Sequence, residues 1–523
     1  MQGNMQKAIR KRAATPKYVS PNQLSLEGFE SPFERTLNPQ NRWVVLAHLI
    51  PWDEISSIYL KHNPLAATGR PPLSPRVIIG SIIIKHLCNL DDSETVAQIS
   101  ENIYMQYFIG YSSFSNEPPF DDSLLTDFRK RLGIDQINAI NERIVLLKAE
   151  FDSQKEQESP HDRLENKDDD FCAGNKGKLI MDATACPQDI AYPTDLDLLS
   201  DARKISEQII DTLYDIDLHK QKPRTYRQIA RKRYLHAAQK KNKSKKLIRK
   251  AVGSQLRFLR RNLRIIDTLL DSFPTIPLQP KQYKNLLVIT TLYQQQKQMY
   301  DQKTHSVDDR IVSIHQPHVR PIIRGKSQAK VEFGAKIHVS LIDGISFLDQ
   351  LSWDAFNEGS QMMQYIENYN KRFGFYPKEV LADKIYCTRS NRVALKEKNI
   401  KLIAKPLGRP PAVPIHLSPG ERNPIEGKFG QAKTGYGLNR IRARLIGTSQ
   451  TWIASIFLVL NLVKLAGLSS LCLFNEMIKG FSARLMLSIV KLIPSFSVLR
   501  GTNSSKIYFP LVQYIKLELY NTK

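Results

Sequence analysis

The chain has 523 residues, which is enough for about two to four domains with sizeable cores. Its 76 Lys and Arg residues against 51 Asp and Glu residues give a net charge of +25. A positive surplus of this size indicates a polyanionic partner, either a nucleic acid or an anionic membrane. The 5 cysteines are scattered and form no CxxC pair, which argues against a zinc site or a disulfide framework and favours a reducing cytoplasm.

The first part of the chain is predicted to be an arm followed by helices. Residues 1–35 are polar and basic, and we expect a flexible basic arm there. Residues 36–150 have helical periodicity and are predicted to form an all-helical domain. Ser74-Pro75 and Asp91-Asp92-Ser93-Glu94 are typical helix starts, since Ser and Asp are good caps.

A further helix, residues 124–132, is predicted to end at Gly133 and carries three consecutive basic residues. Short helices with a basic member fit a helix-turn-helix DNA reader, and they fit an ordinary helical bundle equally well. In the first interpretation, this domain binds DNA ends. The candidate DNA contacts are Arg129, Lys130 and Arg131.

Residues 151–175 follow these helices and are predicted to be an acidic linker without apolar periodicity. The run Lys178 to Thr184 then reads as a short buried strand. It contains Asp182, which such a strand would deliver to the edge of a sheet.

Residues 196–299 are predicted to be a basic helical insertion. The segment 220–264 contains eighteen Lys or Arg residues and no Asp or Glu, so its charges cannot be neutralised within the segment. We expect it to contact the phosphate backbone of DNA without reading sequence, with an affinity that falls as salt rises. The residues chosen to represent this surface are Arg231, Lys232, Arg233, Lys245 and Lys246.

Strands are predicted to resume after residue 305. Residues 332–341 alternate between apolar and polar side chains, Asp343-Gly344 is a hairpin turn, and residues 345–353 return as a second strand. A later apolar strand ends in Asp383, and residues 400–404 form the next one.

The stretch from Arg422 to Lys433 is predicted to begin a helix. Asn423 is a good N-cap, Pro424 fits the first helical position, and Glu426 falls three residues after the cap, as in a capping box. Lys433 lies two turns beyond Glu426 on the same face.

Three carboxylates could therefore meet: one follows the first strand, one follows the fourth, and one lies in this helix. If the two strands are neighbours, the carboxylates converge, and their repulsion requires a cation. Oxygen ligands select Mg²⁺ or Mn²⁺. Two such ions about 3.5–4 Å apart can activate water or a 3′-hydroxyl and stabilise the leaving oxygen of a phosphodiester. The three residues are Asp182, Asp383 and Glu426.

Three motifs resemble those of the DDE transposases of bacterial insertion sequences: residues 181–184, 381–392 and 422–440. Residues 30–150 also resemble the helical N-terminal region of these enzymes. The third motif is the most specific, because the related signature has Arg four residues before the Glu and Lys or Arg seven after it, as Arg422 and Lys433 are here. A tyrosine often lies three residues before that Arg, where this chain has Pro419.

The resemblance implies an α/β fold with a ribonuclease H-like mixed sheet flanked by helices. The catalytic domain would comprise residues 176–195 and 300–450. The basic helical insertion would account for the 201 positions from Asp182 to Asp383.

It also implies roles for individual residues. The three carboxylates would hold two Mg²⁺ or Mn²⁺ ions, and Lys433 and Arg422 would bind DNA phosphates near the scissile bond. The remaining implied DNA contacts are Arg389, Asn391, Arg392 and Arg440.

The expected function is that of a transposase that binds the ends of its element, cleaves DNA and transfers the freed 3′-OH end into target DNA. We expect a homodimer on double-stranded DNA in the bacterial cytoplasm, associated with the nucleoid. Residues 451–523 are predicted to be an apolar helical tail that packs rather than spans a membrane. The alternatives are an inactive DNA-binding descendant of a transposase and a ribonuclease H-like structure-specific nuclease.

Overall fold

The computed structural model describes residues 36–64, 72–157, 174–323, 331–404 and 420–467, without the side chains of 147–157. The predicted basic arm, most of the predicted acidic linker and most of the predicted tail lie outside these residues. Contacts within the chain separate two units, Met1–Lys464 and Leu465–Lys523. The elements below belong to the first unit, apart from the last residues of the final helix.

A mixed sheet of six strands carries the site. Strand β1 runs antiparallel to β3 and parallel to β5, β5 runs parallel to β6, and both β2 and β4 pair with β3. The strand that contains Asp182 and the strand that precedes Asp383 are therefore neighbours, as predicted, and the sheet is ribonuclease H-like. The strands are β1 Lys178–Pro187, β2 Arg320–Ile323, β3 Val331–Ile342, β4 Ile345–Ser352, β5 Glu379–Leu381 and β6 Lys401–Ile403.

Fourteen α-helices are present among the described residues, which confirms the predicted α/β class with a helical N-terminal region. Four of them, α7 to α10, lie between β1 and β2. The helices are α1 Arg42–Leu49, α2 Trp52–His62, α3 Pro75–Leu87, α4 Asp92–Glu101, α5 Ile103–Phe108, α6 Leu124–Gln157, α7 Asp195–Leu213, α8 Arg227–Ala238, α9 Lys245–Leu270, α10 Pro280–Gln302, α11 Met362–Phe373, α12 Arg389–Glu397, α13 Asn423–Gly435 and α14 Ile446–Gly467.

Several predicted start and stop signals are confirmed. The Ser74 hydroxyl caps α3, and the Asp91 carboxylate caps α4 by accepting from the Glu94 N–H at 2.8 Å. Asp343 and Gly344 have φ of 50° and 82°, as a tight hairpin turn requires. Gly133, with φ 56°, breaks α6, but the helix resumes at once and continues to Gln157. The predicted linker therefore begins with helical residues.

Helix α14 is part of the core of the first unit. Its Thr451 hydroxyl donates to the Arg129 carbonyl at 3.0 Å, and the Trp452 ring meets the His86 ring edge-on at 4.9 Å. The helix is long and apolar enough to cross a membrane, but most of it is buried inside the protein. A core helix meets the same criteria, so this helix does not establish a membrane association. The predicted boundary at residue 450 falls inside it.

Side-chain hydrogen bonds join the N-terminal helices to the sheet. The buried Asn461 amide of α14 donates to Asn141 of α6 at 2.8 Å and to the Ser346 carbonyl of β4 at 2.7 Å. Arg372 of α11 pairs with Glu142 of α6 at 2.6 Å. Buried amides must find such partners, so these contacts fix the position of α6 against β4.

The basic insertion has its own apolar core. Side chains of α7, α9 and α10, among them Leu199, Leu259 and Ile289, are buried against each other. The buried Arg203 of α7 pairs with Glu207 and donates to Gln255 of α9 at 3.2 Å. A helical bundle with this core can hold its basic residues on the outside.

Candidate active site

Three elements bring the predicted carboxylates together. Asp182 lies within β1, and the register pairs Ile180 of β1 with Leu381, the last residue of β5. Asp383 follows two residues after Leu381, so it emerges beside Asp182. Helix α13 packs against β1 and carries Glu426 in its first turn.

The start of α13 differs from the prediction. Its N-cap is Arg422, with φ −92° and ψ −15°, and no side chain caps the helix. Asn423 is already helical and Pro424 follows it, so the predicted Asn423 cap and its capping box with Glu426 are wrong. The Glu426 side chain contacts Arg422 instead of the helix start.

Arg422 links all three carboxylates. Its Nη2 atom lies 3.1 Å from Asp182 Oδ2 and 3.8 Å from Glu426 Oε1, and its Nη1 atom lies 3.2 Å from Asp383 Oδ1. The three carboxylates therefore face one position that a cation can occupy. Sequence reasoning placed Arg422 on a DNA phosphate, whereas here its guanidinium contacts the acids themselves.

The site is buried at one side and open at the other. Asp182 is 17% exposed, whereas Asp383 and Glu426 are 53% and 63% exposed. Burial raises the pKa of Asp182, although the Ala183 N–H, at 2.8 Å, and Arg422 both oppose the rise. Burial also acts to lower the pKa of Arg422, but the charges of Asp182 and Asp383 outweigh it and raise that pKa.

The donor set fits a hard divalent cation. All three side chains offer oxygen ligands, and all three already contact one cationic group. Among the described residues, no group of three His, Cys, Asp or Glu side chains is arranged closely enough to hold a metal ion. The carboxylates would therefore have to draw together around an ion.

Glu358 lies near the site and pairs with two residues that sequence reasoning missed, and its charge adds to burial in raising the pKa of Asp182. Lys336 of β3 pairs with Glu358 at 2.7 Å, and the Tyr386 hydroxyl donates to Glu358 at 3.4 Å. Burial raises the pKa of Tyr386, and the charges of Glu358 and Asp182 add to the rise, so its hydroxyl is a neutral donor. The sequence signal for this cluster is Lys336, a basic residue on β3, the strand that pairs with β1.

Two predicted DNA contacts are buried, which contradicts those predictions. Asn391, 6% exposed, donates to the Gly359 carbonyl at 2.7 Å and the Tyr386 carbonyl at 2.9 Å. Arg129, 4% exposed, forms a forked pair with Asp92 at 2.9 and 2.7 Å. Both side chains are buried and hydrogen-bonded inside the protein, so neither is placed to bind DNA.

The other predicted DNA contacts lie at the surface. Arg440 pairs with Asp189 at 2.9 Å and Lys130 pairs with Asp127 at 2.9 Å, and Lys433 is half-buried. The rest are exposed: Arg131, Arg231, Lys232, Arg233, Lys245, Lys246, Arg389 and Arg392.

Helix α9 carries an exposed arginine face within the segment predicted to contact phosphates, although none of its arginines was among the residues chosen to represent that surface. Arg257, Arg260, Arg261 and Arg264 recur at helical spacing and line a groove of about 400 Å³. The Arg261 guanidinium lies over the ring of Tyr226, 4.6 Å from its centroid. Within the described residues, no ion pair joins these four arginines to a carboxylate, so their charge remains available. We call these four residues the α9 arginine face.

Comparison with known proteins finds transposase family models in two parts of the chain. Residues 31–131 match a family model described as a transposase domain (DUF772), and residues 380–463 match one described as a transposase DDE domain. An uncharacterized protein, ORF8 in the nfe locus of Rhizobium meliloti, is 30% identical over 169 residues, which are 32% of this chain and 72% of that protein. No solved structure matches the chain. The second family model covers Asp383, Glu426 and most of α14, and Asp182 lies outside both matched ranges. The chain belongs to the DDE transposases of insertion sequences.

Proposed function

We propose that this transposase binds the ends of its own element, hydrolyses a phosphodiester to free a 3′-OH, and joins that end to target DNA. The observation that carries the proposal is the convergence of Asp182, Asp383 and Glu426 on one cation position, marked by Arg422 at 3.1, 3.2 and 3.8 Å. Carboxylates gathered in this way suit phosphoryl transfer, where the developing charge needs compensation.

The three carboxylates would hold two Mg²⁺ or Mn²⁺ ions. Such ions lower the pKa of a bound nucleophile and stabilise the oxygen that leaves. Asp182 would be the best candidate to contact both, because its strand, β1, neighbours β5, which leads to Asp383, and packs against α13, which carries Glu426. Its Oδ1 accepts from the Ala183 N–H at 2.8 Å, which fixes the carboxylate and leaves Oδ2 turned to the site.

The basic residues would hold the DNA. Lys433 lies two turns after Glu426 on α13, where it would bind a phosphate beside the scissile bond. Arg389, Arg392 and Arg440 would contact DNA around the site. The insertion would bind duplex backbone through the α9 arginine face and the exposed residues of α8, because unpaired arginines displace counterions from DNA. We expect a homodimer at the bacterial nucleoid in the cytoplasm, since two element ends must be brought together.

Substitution of the carboxylates tests the proposal. Asp182→Ala, Asp383→Ala and Glu426→Gln should each abolish Mg²⁺-dependent cleavage and joining, because the remaining ligands cannot hold both ions. The measurement uses duplexes that carry the inverted repeats flanking the coding sequence and separates cleaved from joined products on denaturing gels. Binding of the same duplexes should persist in all three variants.

Asp354→Asn serves as a matched control, because Asp354 is an exposed acid outside the site and pairs only distantly with Arg320, at 3.8 Å. Joining that survives any of the three site substitutions would refute the assignment. Hydrolysis without joined products by the unmodified protein would indicate a structure-specific nuclease. Tight DNA binding without any binding of divalent ions would indicate an inactive DNA-binding descendant.

A further inference from the structure

The position of Arg422 raises a question about how ions enter the site. Its two terminal nitrogens contact Asp182, Asp383 and Glu426, and its Nε has no hydrogen-bond partner among the described residues. The carboxylates therefore determine where this guanidinium lies. Of the three, Asp182 is the most buried and Arg422 itself is 25% exposed, so solvent only partly screens the contacts.

A guanidinium and a metal ion compete for the same oxygen atoms. Mg²⁺ requires its oxygen ligands at about 2.0–2.1 Å in near-octahedral geometry. An oxygen that faces Arg422 at 3.1 Å directs its lone pair to the guanidinium, and two cations held this close would repel each other. Binding of an ion at Asp182 and Asp383 therefore requires the guanidinium to withdraw.

Arg422 can withdraw without disturbing the helix that carries Glu426. It occupies the N-cap of α13 and makes no side-chain cap hydrogen bond, so rotation about its side-chain bonds leaves the helix start intact. The side chain is long and ends on the exposed side of the site, beside Asp383 and Glu426. A DNA phosphate that arrives there offers the guanidinium another anionic partner.

We propose that Arg422 is an internal counter-ion that opposes divalent-ion binding until a DNA phosphate draws it away. The inference rests on the proposed function, because it assumes that the three carboxylates hold the ions. DNA and the ions then bind cooperatively through Arg422, and by linkage each raises the affinity for the other. Such coupling would limit loading of the site with ions when no DNA is present.

Manganese binding tests this inference without any measurement of activity. Full-length protein, Arg422→Gln and Arg320→Gln would be titrated with Mn²⁺ in the absence of DNA, with free Mn²⁺ followed by electron paramagnetic resonance. We expect Arg422→Gln to bind Mn²⁺ at least ~10-fold more tightly than the unmodified protein. Arg320→Gln removes the same charge from a similarly exposed residue, which pairs with Asp309 and Asp354 at 3.8 Å and not with the three carboxylates, and should bind Mn²⁺ as the unmodified protein does.

Addition of a short duplex should raise Mn²⁺ affinity in the unmodified protein and raise it less in Arg422→Gln. Arg422→Lys provides a second variant if Arg422→Gln fails to fold, since it keeps the charge but loses the forked contact. A single ammonium cannot contact all three acids as the guanidinium does. We therefore expect the Mn²⁺ affinity of Arg422→Lys to lie between those of the unmodified protein and Arg422→Gln.

Asp182→Asn, added to each protein, separates the failure of this inference from the failure of the proposed function. If Mn²⁺ binding depends on Asp182 but Arg422→Gln binds no more tightly than the unmodified protein, the counter-ion role is wrong and the metal site stands. If Mn²⁺ binding in no variant depends on Asp182, the proposed metal site fails and the counter-ion role fails with it.

Discussion

Asp92 is the residue that joins three helices of the N-terminal region. It lies in the first turn of α4, pairs with Lys85 of α3 at 2.8 Å, and accepts the forked pair from Arg129 of α6. Burial alone would raise the pKa of Asp92, but the hydrogen bonds and charge of Arg129, followed by those of Lys85, lower it to about 2. The ionised form is therefore the one that stabilises the packing.

This pKa predicts an acid-dependent loss of stability. A carboxylate with a depressed folded-state pKa stabilises above its unfolded value, near 3.8, and the stabilisation disappears as the pH falls through about 2. The side chain is 31% exposed, so we expect roughly 1–2 kcal/mol to be lost over that range. The measurement is the free energy of unfolding by denaturant between pH 5 and pH 2.

Asp92→Asn should unfold more easily at pH 5 and show a weaker dependence on pH over the same range. Asp127→Asn is the control, because Asp127 forms an exposed pair with Lys130 on α6. An unchanged pH dependence in Asp92→Asn would contradict the role of Asp92.

At the scale of elements, α13 contains three glycines whose lack of a side chain is not required by any contact among the described residues. A Cβ built at Gly427, Gly430 or Gly435 meets nothing within 4 Å, and none of the three has a positive φ. Glycine lowers helix stability, so these positions carry a cost. Gly430 lies between Glu426 and Lys433 on the face that would meet DNA, and close approach of the DNA backbone would account for it.

Gly430→Leu should separate stability from activity. The helix should gain about 0.5–1 kcal/mol of stability from the better helix former, while transfer of the 3′ end to target DNA should fall at least ~10-fold, a change of about 1.4 kcal/mol, because the side chain occupies the path of the DNA. Thermal unfolding and joining assays measure the two effects. Gly435→Leu, on the opposite side of α13, should gain stability without loss of joining. Full joining by Gly430→Leu would contradict the proposed approach of DNA.

Most elements of the catalytic sheet follow from local sequence patterns. The alternation along β3, the Asp343-Gly344 turn and the apolar runs of β1 and β5 each depend on neighbouring residues, so the sequence predicts them. Strand β2, with four residues, has no periodicity to reveal it. Helix α13 begins one residue earlier than predicted. Capping propensity favours Asn423 as the N-cap, whereas Arg422, whose guanidinium contacts the three acids, occupies that position.

The site was predictable where it depended on strand ends and not where it depended on distant partners. Asp182 and Asp383 meet because adjacent parallel strands place them at one edge. Arg129 and Asn391 belong to residue types that usually lie at the surface. Their hydrogen-bond partners lie 37 and 32 positions away in the chain, so local patterns cannot show that the two side chains are buried. The contact of Arg422 with Asp182, 240 positions away, is of the same kind.

At the scale of the whole molecule, the charge is arranged around separate cores. The insertion buries Leu199, Leu259 and Ile289 and turns the α9 arginine face outward, so it adds basic surface without weakening its packing. Asn461 joins the catalytic sheet to the N-terminal helices through Ser346 of β4 and Asn141 of α6. Most of the net charge of +25 therefore lies on an insertion that is distinct from the elements carrying Asp182, Asp383 and Glu426.

This separation predicts that the α9 arginine face contributes to DNA affinity and not to chemistry. Arg260→Gln combined with Arg264→Gln removes two charges from one face of α9, where no ion pair within the described residues holds either arginine. Affinity falls as salt rises, and each lost phosphate contact makes the slope of log affinity against log salt less steep by about 0.9. We therefore expect the slope of the double variant to be less steep by up to about 2. Fluorescence anisotropy with duplexes of unrelated sequence, from low to moderate salt, measures the slope.

Lys61→Gln combined with Lys371→Gln is the matched control, because it removes two charges from exposed lysines on α2 and α11. The control should leave the slope unchanged, since long-range attraction between separated surface charges is screened within about 8–10 Å at ordinary salt. An equal fall in both double variants would mean that net charge, and not the α9 arginine face, determines affinity. A smaller slope in the arginine double variant alone would assign the α9 arginine face to holding DNA. That variant should still cleave DNA at low salt, because binding at low salt does not depend on the two lost phosphate contacts.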